Sequence, residues 1–188
     1  KPYWSEIESV KVESLPLDYK DGSNLQEDSA VESFFLEEDL TNLLLTQCYK
    51  AYNTEINDIL LAGFMQALQE VFGIDKTLVK LEAHGREYIG ADVDITRTIG
   101  WFTSLYPVIL DISGSSHSIR QLIDIKENLH RVPNKGIGYG ILRYLSNTGY
   151  SQNPEIMFNY LGDFGSGVNT GNGNQLFEFS DHYRGKSN

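Results

Sequence analysis

The chain has 188 residues, of which 40% are AVILMFWYC and 12% are aromatic. That is enough apolar material to bury one domain-sized core and too much for a wholly disordered chain. Fifteen basic residues stand against 26 acidic ones, a formal charge of −11, which excludes a general nucleic-acid binder because phosphate contacts need a basic footprint. No apolar run approaches the roughly 18 residues of a membrane span, KPYWSEIESV lacks the layout of a signal peptide, and the single cysteine, Cys48, rules out a disulfide framework or a cysteine-rich zinc module.

These exclusions lead to the expectation of a reducing, cytoplasmic compartment. The charge is uneven, since residues 1–40 hold 11 acidic and 3 basic side chains, the pattern of a solvated acidic segment. Residues 13–30 are polar, turn-rich and poorly periodic, which reads as a connector. Val31–Leu36 has the composition of a short strand. From Glu37 onward Leu40, Leu43, Leu44, Cys48 and Ala51 recur at helical spacing, with Glu37, Glu38 and Asp39 at the positive end of the dipole. Cys48 on that stripe reads as a buried structural thiol. A second helix starts at Asn53 or Thr54 and stops at Gly73, and its wide apolar surface predicts deep burial.

The period then changes. Thr77–Arg86 and Ile99–Ile112 read as strands. Ser118–Gln121 has capping-box spacing before a helix that Pro133 ends near Val132. Residues 137–146 predict a short helix, Pro154–Phe164 a strand, 165–174 a hairpin loop, and LFEF (176–179) a last strand. This order is a mixed α/β fold with helices flanking a sheet.

Several chemistries fail on spacing. The histidines at 84, 117, 130 and 182 show no metal-binding pattern, so no metal site is expected. Gly185-Lys186-Ser187 lacks both the upstream glycine and the following helix of a phosphate loop. No GxSxG elbow is present. The alternate glycines of Pro133–Gly140 do not follow a strand as a dinucleotide loop must, and read as a tight loop passing close to other backbone.

Leu81-Glu82-Ala83-His84-Gly85-Arg86-Glu87 is more informative. On a continuing strand, Glu82, His84 and Arg86 would share one face. Two readings stand: an edge strand with an exposed Glu–Arg pair, or a carboxylate placed for proton transfer with Arg86 holding it ionised or in position. In FNYLG, Asn159 is a poor strand former among good ones, either a turn residue or a specific hydrogen-bonding group. Tyr160 is either a core ring with a bonded hydroxyl or an acid and hydrogen-bond donor.

Four blocks in order, EAHGRE (82–87), DVDITRTIGWFTSLYPV (92–108), PNKGIGYGILRYL (133–145) and FNYLGDF (158–164), resemble the epimerization domains of non-ribosomal peptide synthetases, within the condensation-domain superfamily. The resemblance covers most of the chain, and the last three blocks favour the epimerizing subclass. It implies one lobe of a chloramphenicol-acetyltransferase-like pseudodimer with the active site between lobes. The implied substrate is an aminoacyl or peptidyl thioester on the phosphopantetheine arm of a peptidyl carrier domain, and the implied reaction is inversion of its α-carbon. No cofactor of the lobe's own is implied.

Carried over residue by residue, Glu82 matches the catalytic carboxylate and Tyr160 a second catalytic position. Arg86 and Asn159 match assisting positions, and His84 takes a structural or positioning role. Thr103 and Ser104 would lie near the substrate channel. Asp92, Asp94 and Arg97 are expected to form ion pairs that fix the loop before that strand. The HHxxxDG motif of the other lobe has no counterpart here. The expected organisation is therefore a connector (1–30) leaving a missing N-terminal lobe, then a C-terminal lobe (31–188) truncated at its end, flanked by other synthetase domains and inactive alone. The rivals are a peptide-bond-forming condensation lobe and a non-catalytic carrier-docking lobe.

Overall fold

Pro2 suits the first turn of a helix, where its missing N–H is not needed, and Trp4 and Ile7 lie one turn apart. They form the buried face of α1 (Pro2–Ser9), at 3% and 2% exposure. The sequence pattern predicts no helix here. The computed structural model describes residues 2–162, except 23, 24, 49, 51, 89, 91 and 92, together with the backbone of 169–170 and 174–175. By contact the chain divides into two units, Lys1–Phe158 and Asn159–Asn188.

The connector is mostly extended, apart from a 3₁₀ turn at Gln26–Asp28. Val31–Leu36 is not a strand: it pairs with nothing among the described residues, and Phe34 and Phe35 are 86% and 94% exposed. A β-prone composition makes a strand only where a neighbouring edge accepts its hydrogen bonds. The helix that follows, α2 (Glu38–Thr46), stops before Cys48, which is exposed. Helix α2 itself carries no buried residue, and Leu40 and Leu43 on the same stripe are exposed, so the stripe is not a core face and the expectation of a buried thiol is overturned.

Helix α3 (Ile56–Phe72) runs close to its predicted span and ends at Gly73 in left-handed geometry, φ +72°. Its start is held by the Asp58 carboxylate, which accepts the Glu55 N–H at 2.7 Å. Burial pushes the Asp58 carboxyl up from its ordinary range. Only one face is buried, through Leu61, Ala62, Met65 and Leu68, while Val71 and Phe72 are exposed. Deep burial was expected from a wide apolar surface, but only the side that carries these four residues is covered.

Strand β1 (Lys76–Ala83) pairs antiparallel with β2 (Ser104–Asp111) over its whole length, from Lys76 opposite Asp111 to Ala83 opposite Ser104. Both strands are shorter than predicted. Helix α4 (Ser118–His130) lacks the expected capping box: His117 occupies the cap position without a side-chain bond, and the Gln121 amide donates to the Ser115 carbonyl at 2.8 Å. A 3₁₀ turn at Pro133–Gly136 leads into α5 (Ile137–Tyr144). The strand expected over 154–164 shrinks to β3 (Ile156–Phe158), parallel to Val79–Leu81 of β1.

The sheet order β2-β1-β3 makes β1 the central strand of a small mixed sheet. Val79, Val108, Leu110, Leu61, Met65 and Ile125 form its driest core, each at 1% exposure or less. Helix α1 is stitched to the 139–152 segment through Glu8, which accepts from the Tyr139 hydroxyl and the amides of Ser151 and Gln152. In the second unit, β4 (Asn169–Thr170) and β5 (Asn174–Gln175) pair antiparallel, consistent with the expected hairpin. The predicted strand LFEF lies outside the described residues.

Gly136 explains the PNKGIGYG block. Its φ is +84°, and a Cβ there would stand 2.0 Å from the Tyr106 ring. The close approach is to an aromatic side chain, not to backbone as expected. Left-handed strain of about 1–2 kcal/mol adds to overpacking of about 1–3 kcal/mol. Gly136→Ala should therefore lower unfolding stability in urea by about 2–5 kcal/mol. Gly138→Ala, in open helical surroundings, should be neutral or stabilising by up to about 1 kcal/mol.

Candidate active site

Glu82 is the penultimate residue of the central strand, half-buried and opposite Leu105 in register. Strand alternation puts it on the face of Leu78 and Lys80, away from Val79 and Leu81. Its backbone is thus set by a full ladder on one side, and its carboxylate sits where that ladder ends.

The strand stops at Ala83, so Glu82, His84 and Arg86 do not alternate along one continuing face as expected. The reason is Gly85. Its φ is +65°, and a Cβ on it would lie 1.5 Å from the carbonyl oxygen of Phe102. Only glycine permits that turn and that approach. The Arg86 N–H donates to His84 Nδ1 at 2.9 Å, closing the turn.

The Arg86 guanidinium donates to the carbonyls of Ile95 and Gly100 and lies 4.3 Å from the centre of the Phe102 ring. Arginine's planar fork suits this double task of binding carbonyls and stacking on a ring. Arg86 thereby anchors the 95–102 loop to the end of β1. His84 Nε2 lies 3.0 Å from Glu87 Oε1.

The expected ion pairs of the preceding loop take another form. The Asp94 carboxylate accepts the Thr96 N–H and hydroxyl, at 2.9 and 2.6 Å, and these bonds hold its carboxyl below the usual range. A short aspartate satisfies its own turn more readily than it reaches an arginine. Asp92 lies outside the described residues.

Thr103 is half-buried immediately before β2. Ser104 opens β2 opposite Ala83, and its Oγ is buried without a hydrogen-bond partner among the described residues. The structure therefore gathers Glu82, His84, Arg86, Thr103 and Ser104 at one end of the β1–β2 ladder. Asn159 and Tyr160 open the second unit, directly after β3, with Asn159 exposed and Tyr160 half-buried.

Sequence reasoning missed three participants. Phe102 supports Arg86, Glu87 meets His84, and Tyr106 fills the space that Gly136 leaves. Burial, and secondarily the Glu87 charge, push the Tyr106 hydroxyl above its ordinary value. All three lie inside the quoted blocks, but the arrangement they join depends on contacts the pattern does not reveal. Among the described residues no group of three or more His, Cys, Asp or Glu side chains is arranged to hold a metal, and no helix is long and apolar enough to cross a membrane.

This arrangement coincides with a known family. Residues 1–184 match the Condensation domain family, and the chain belongs to it. Among curated relatives, bacitracin synthase 3 of Bacillus licheniformis is 41% identical over 174 residues, covering 91% of this chain and 3% of that protein. Gramicidin S synthase 1 of Brevibacillus brevis is 42% identical over 195 residues, covering 98% of this chain and 17% of that protein. The chain thus spans a small part of large relatives.

Among solved structures, the epimerization domain from the third module of tyrocidine synthetase B superposes with a TM-score of 0.77 at 39% identity, covering 85% of this chain and 37% of that one. The mixed α/β fold expected from the order of the elements is the one observed. It is the fold of condensation and epimerization domains, related to chloramphenicol acetyltransferase.

Arg86→Lys keeps the charge but loses the fork and the ring contact. It should destabilise the domain by about 1–3 kcal/mol, and amide hydrogen exchange across residues 95–102 should quicken.

Proposed function

We propose that the chain is the C-terminal lobe of an epimerization domain, which inverts the α-carbon of an aminoacyl or peptidyl thioester held on the phosphopantetheine arm of a carrier domain. The observation that carries this reading is the 39% identity and 0.77 TM-score with a solved epimerization domain, combined with a carboxylate at the end of the central strand, held beside a locked turn. A missing N-terminal lobe with a HHxxxDG motif, a carrier domain and neighbouring synthetase domains complete the proposal. The chain alone is then inactive.

The chemistry suits these groups. A thioester acidifies its α-hydrogen, so inversion requires one group to remove a proton and another to deliver one to the opposite face. The enolate-like intermediate calls for electrostatic support. This proton traffic requires neither a redox nor a pyridoxal cofactor. Glu82 is assigned the acid/base role. Arg86 and His84 hold the turn that follows it, and Thr103 and Ser104 border the substrate channel. Tyr160 as a second catalytic group, and Asn159 as its assistant, rest on the resemblance of the FNYLG block alone.

The family match also admits a peptide-bond-forming condensation lobe, and one experiment separates the two. The intact domain is incubated with two carriers, each loaded with a different L-aminoacyl group, and the products are released and resolved on a chiral column. The epimerization reading predicts a D/L mixture of one amino acid and no dipeptide. Dipeptide with retained L configuration would establish the condensation reading instead.

A further inference from the structure

We infer that Lys80 is a specificity-determining residue, whose ammonium lines a cationic groove beside Glu82 that receives a carboxylate on the side chain of the thioester substrate. The inference rests on the epimerization reading and names the substrate class of that site. Lys80 precedes Glu82 by two residues on β1, so the two share a face with their Cα atoms about 7 Å apart. Across the ladder they stand opposite Pro107 and Leu105. Both of these line a groove of about 60 Å³, together with Lys80, Arg143, Tyr144 and Asn153. That exceeds the about 10–15 Å³ needed by a single water and leaves room for a carboxylate group.

The groove is short of negative charge. Lys80 is half-buried, and its Nζ donates to the Asn153 side-chain oxygen at 3.1 Å, a neutral partner. The Arg143 guanidinium donates to the Gln152 carbonyl and lies 5.4 Å from the centre of the Tyr144 ring. Among the described residues neither cation belongs to an ion pair. The Tyr139 hydroxyl donates to Glu8, whose carboxylate also accepts the amides of Ser151 and Gln152, so that carboxylate is committed to holding α1. Two cations held by neutral groups, in a chain of charge −11, suit an anionic occupant.

Position decides which anion. The α-carbon of the thioester has to come within hydrogen-bond reach of the Glu82 carboxylate. An aspartyl or glutamyl side chain carries its own carboxylate only a few bonds from that carbon, and the flexible lysine stem spans the rest. The phosphodiester of the carrier arm sits at the opposite end of the arm from the thioester, too far to share a groove that opens beside Glu82. Leu105 and Tyr144, both exposed, offer apolar contact to the methylene groups of such a side chain.

The test loads the carrier with L-glutamyl or with its near-isosteric amide, L-glutaminyl, and measures kcat and KM for D/L interconversion by the intact domain. In kcat/KM the glutamyl thioester should be favoured by about 10- to 100-fold, the range of a hydrogen bond between charged groups. Lys80→Met keeps most of the stem and removes the charge. It should bring that ratio to within about threefold of unity, through loss on the glutamyl side. Lys80→Glu should reverse the preference, favouring an L-ornithyl thioester over the glutamyl one. Equal turnover of the glutamyl and glutaminyl thioesters by the unaltered domain, or a preference that survives Lys80→Met, would overturn the assignment. A parallel rise of KM for both thioesters in Lys80→Met would place the anion on the carrier arm they share, and overturn it as well. In each of these cases interconversion by the unaltered domain leaves the epimerization reading standing. Absence of interconversion with every thioester would remove that reading and the inference together.

Discussion

The structure depends on the way the β1–β2 ladder is closed at one end. Eight residues of each strand pair without interruption, and the chain then has to leave the sheet directly beneath the carbonyl of Phe102. Only a residue without a side chain fits there, and only in left-handed geometry, so Gly85 fixes both where the strand stops and which way it turns. Everything the site needs follows from that stop. Glu82 becomes a strand-end carboxylate, and Arg86 is delivered to the 95–102 loop.

A second contact of the same kind operates on the opposite strand. The Tyr106 ring lies where a Cβ of Gly136 would be, so the chain between α4 and α5 closes down on β2. The two glycines hold different segments against one pair of strands. Hydrophobic burial supplies most of the stabilisation, through Val79, Val108, Leu110 and their helical neighbours. Burial alone does not choose a direction for a side chain, whereas backbone contacts of this closeness do.

Much of this was legible in the sequence wherever the information was local. The span of α3 could be read from its apolar spacing and Gly73, and α5 from its pattern after Pro133. What failed was long-range. Val31–Leu36 has strand composition but no edge to join, and Cys48 continues an apolar stripe past the point where α2 ends. Helix α1 was missed because its reason to form is the core that Trp4 and Ile7 enter, many residues away. At the site, Glu82 and Arg86 were visible as types and positions. Their arrangement was not, because the turn between them is imposed by Phe102, and Arg86 finds its partners at Ile95 and Gly100.

The carboxylate at the end of β1 is where the proposed chemistry stands or falls. The most direct measurement is wash-in of deuterium from solvent at the α-carbon of a carrier-bound aminoacyl thioester, followed by mass spectrometry, for the intact domain and its Glu82→Gln variant. Glutamine keeps the size and the backbone of the strand end but cannot accept the α-proton at neutral pH. The account predicts rapid wash-in with the unaltered domain and a loss of about 100-fold or more with Glu82→Gln, within the usual range for removing an acid/base group. Equal rates for the two proteins would remove Glu82 from the chemistry and contradict the account.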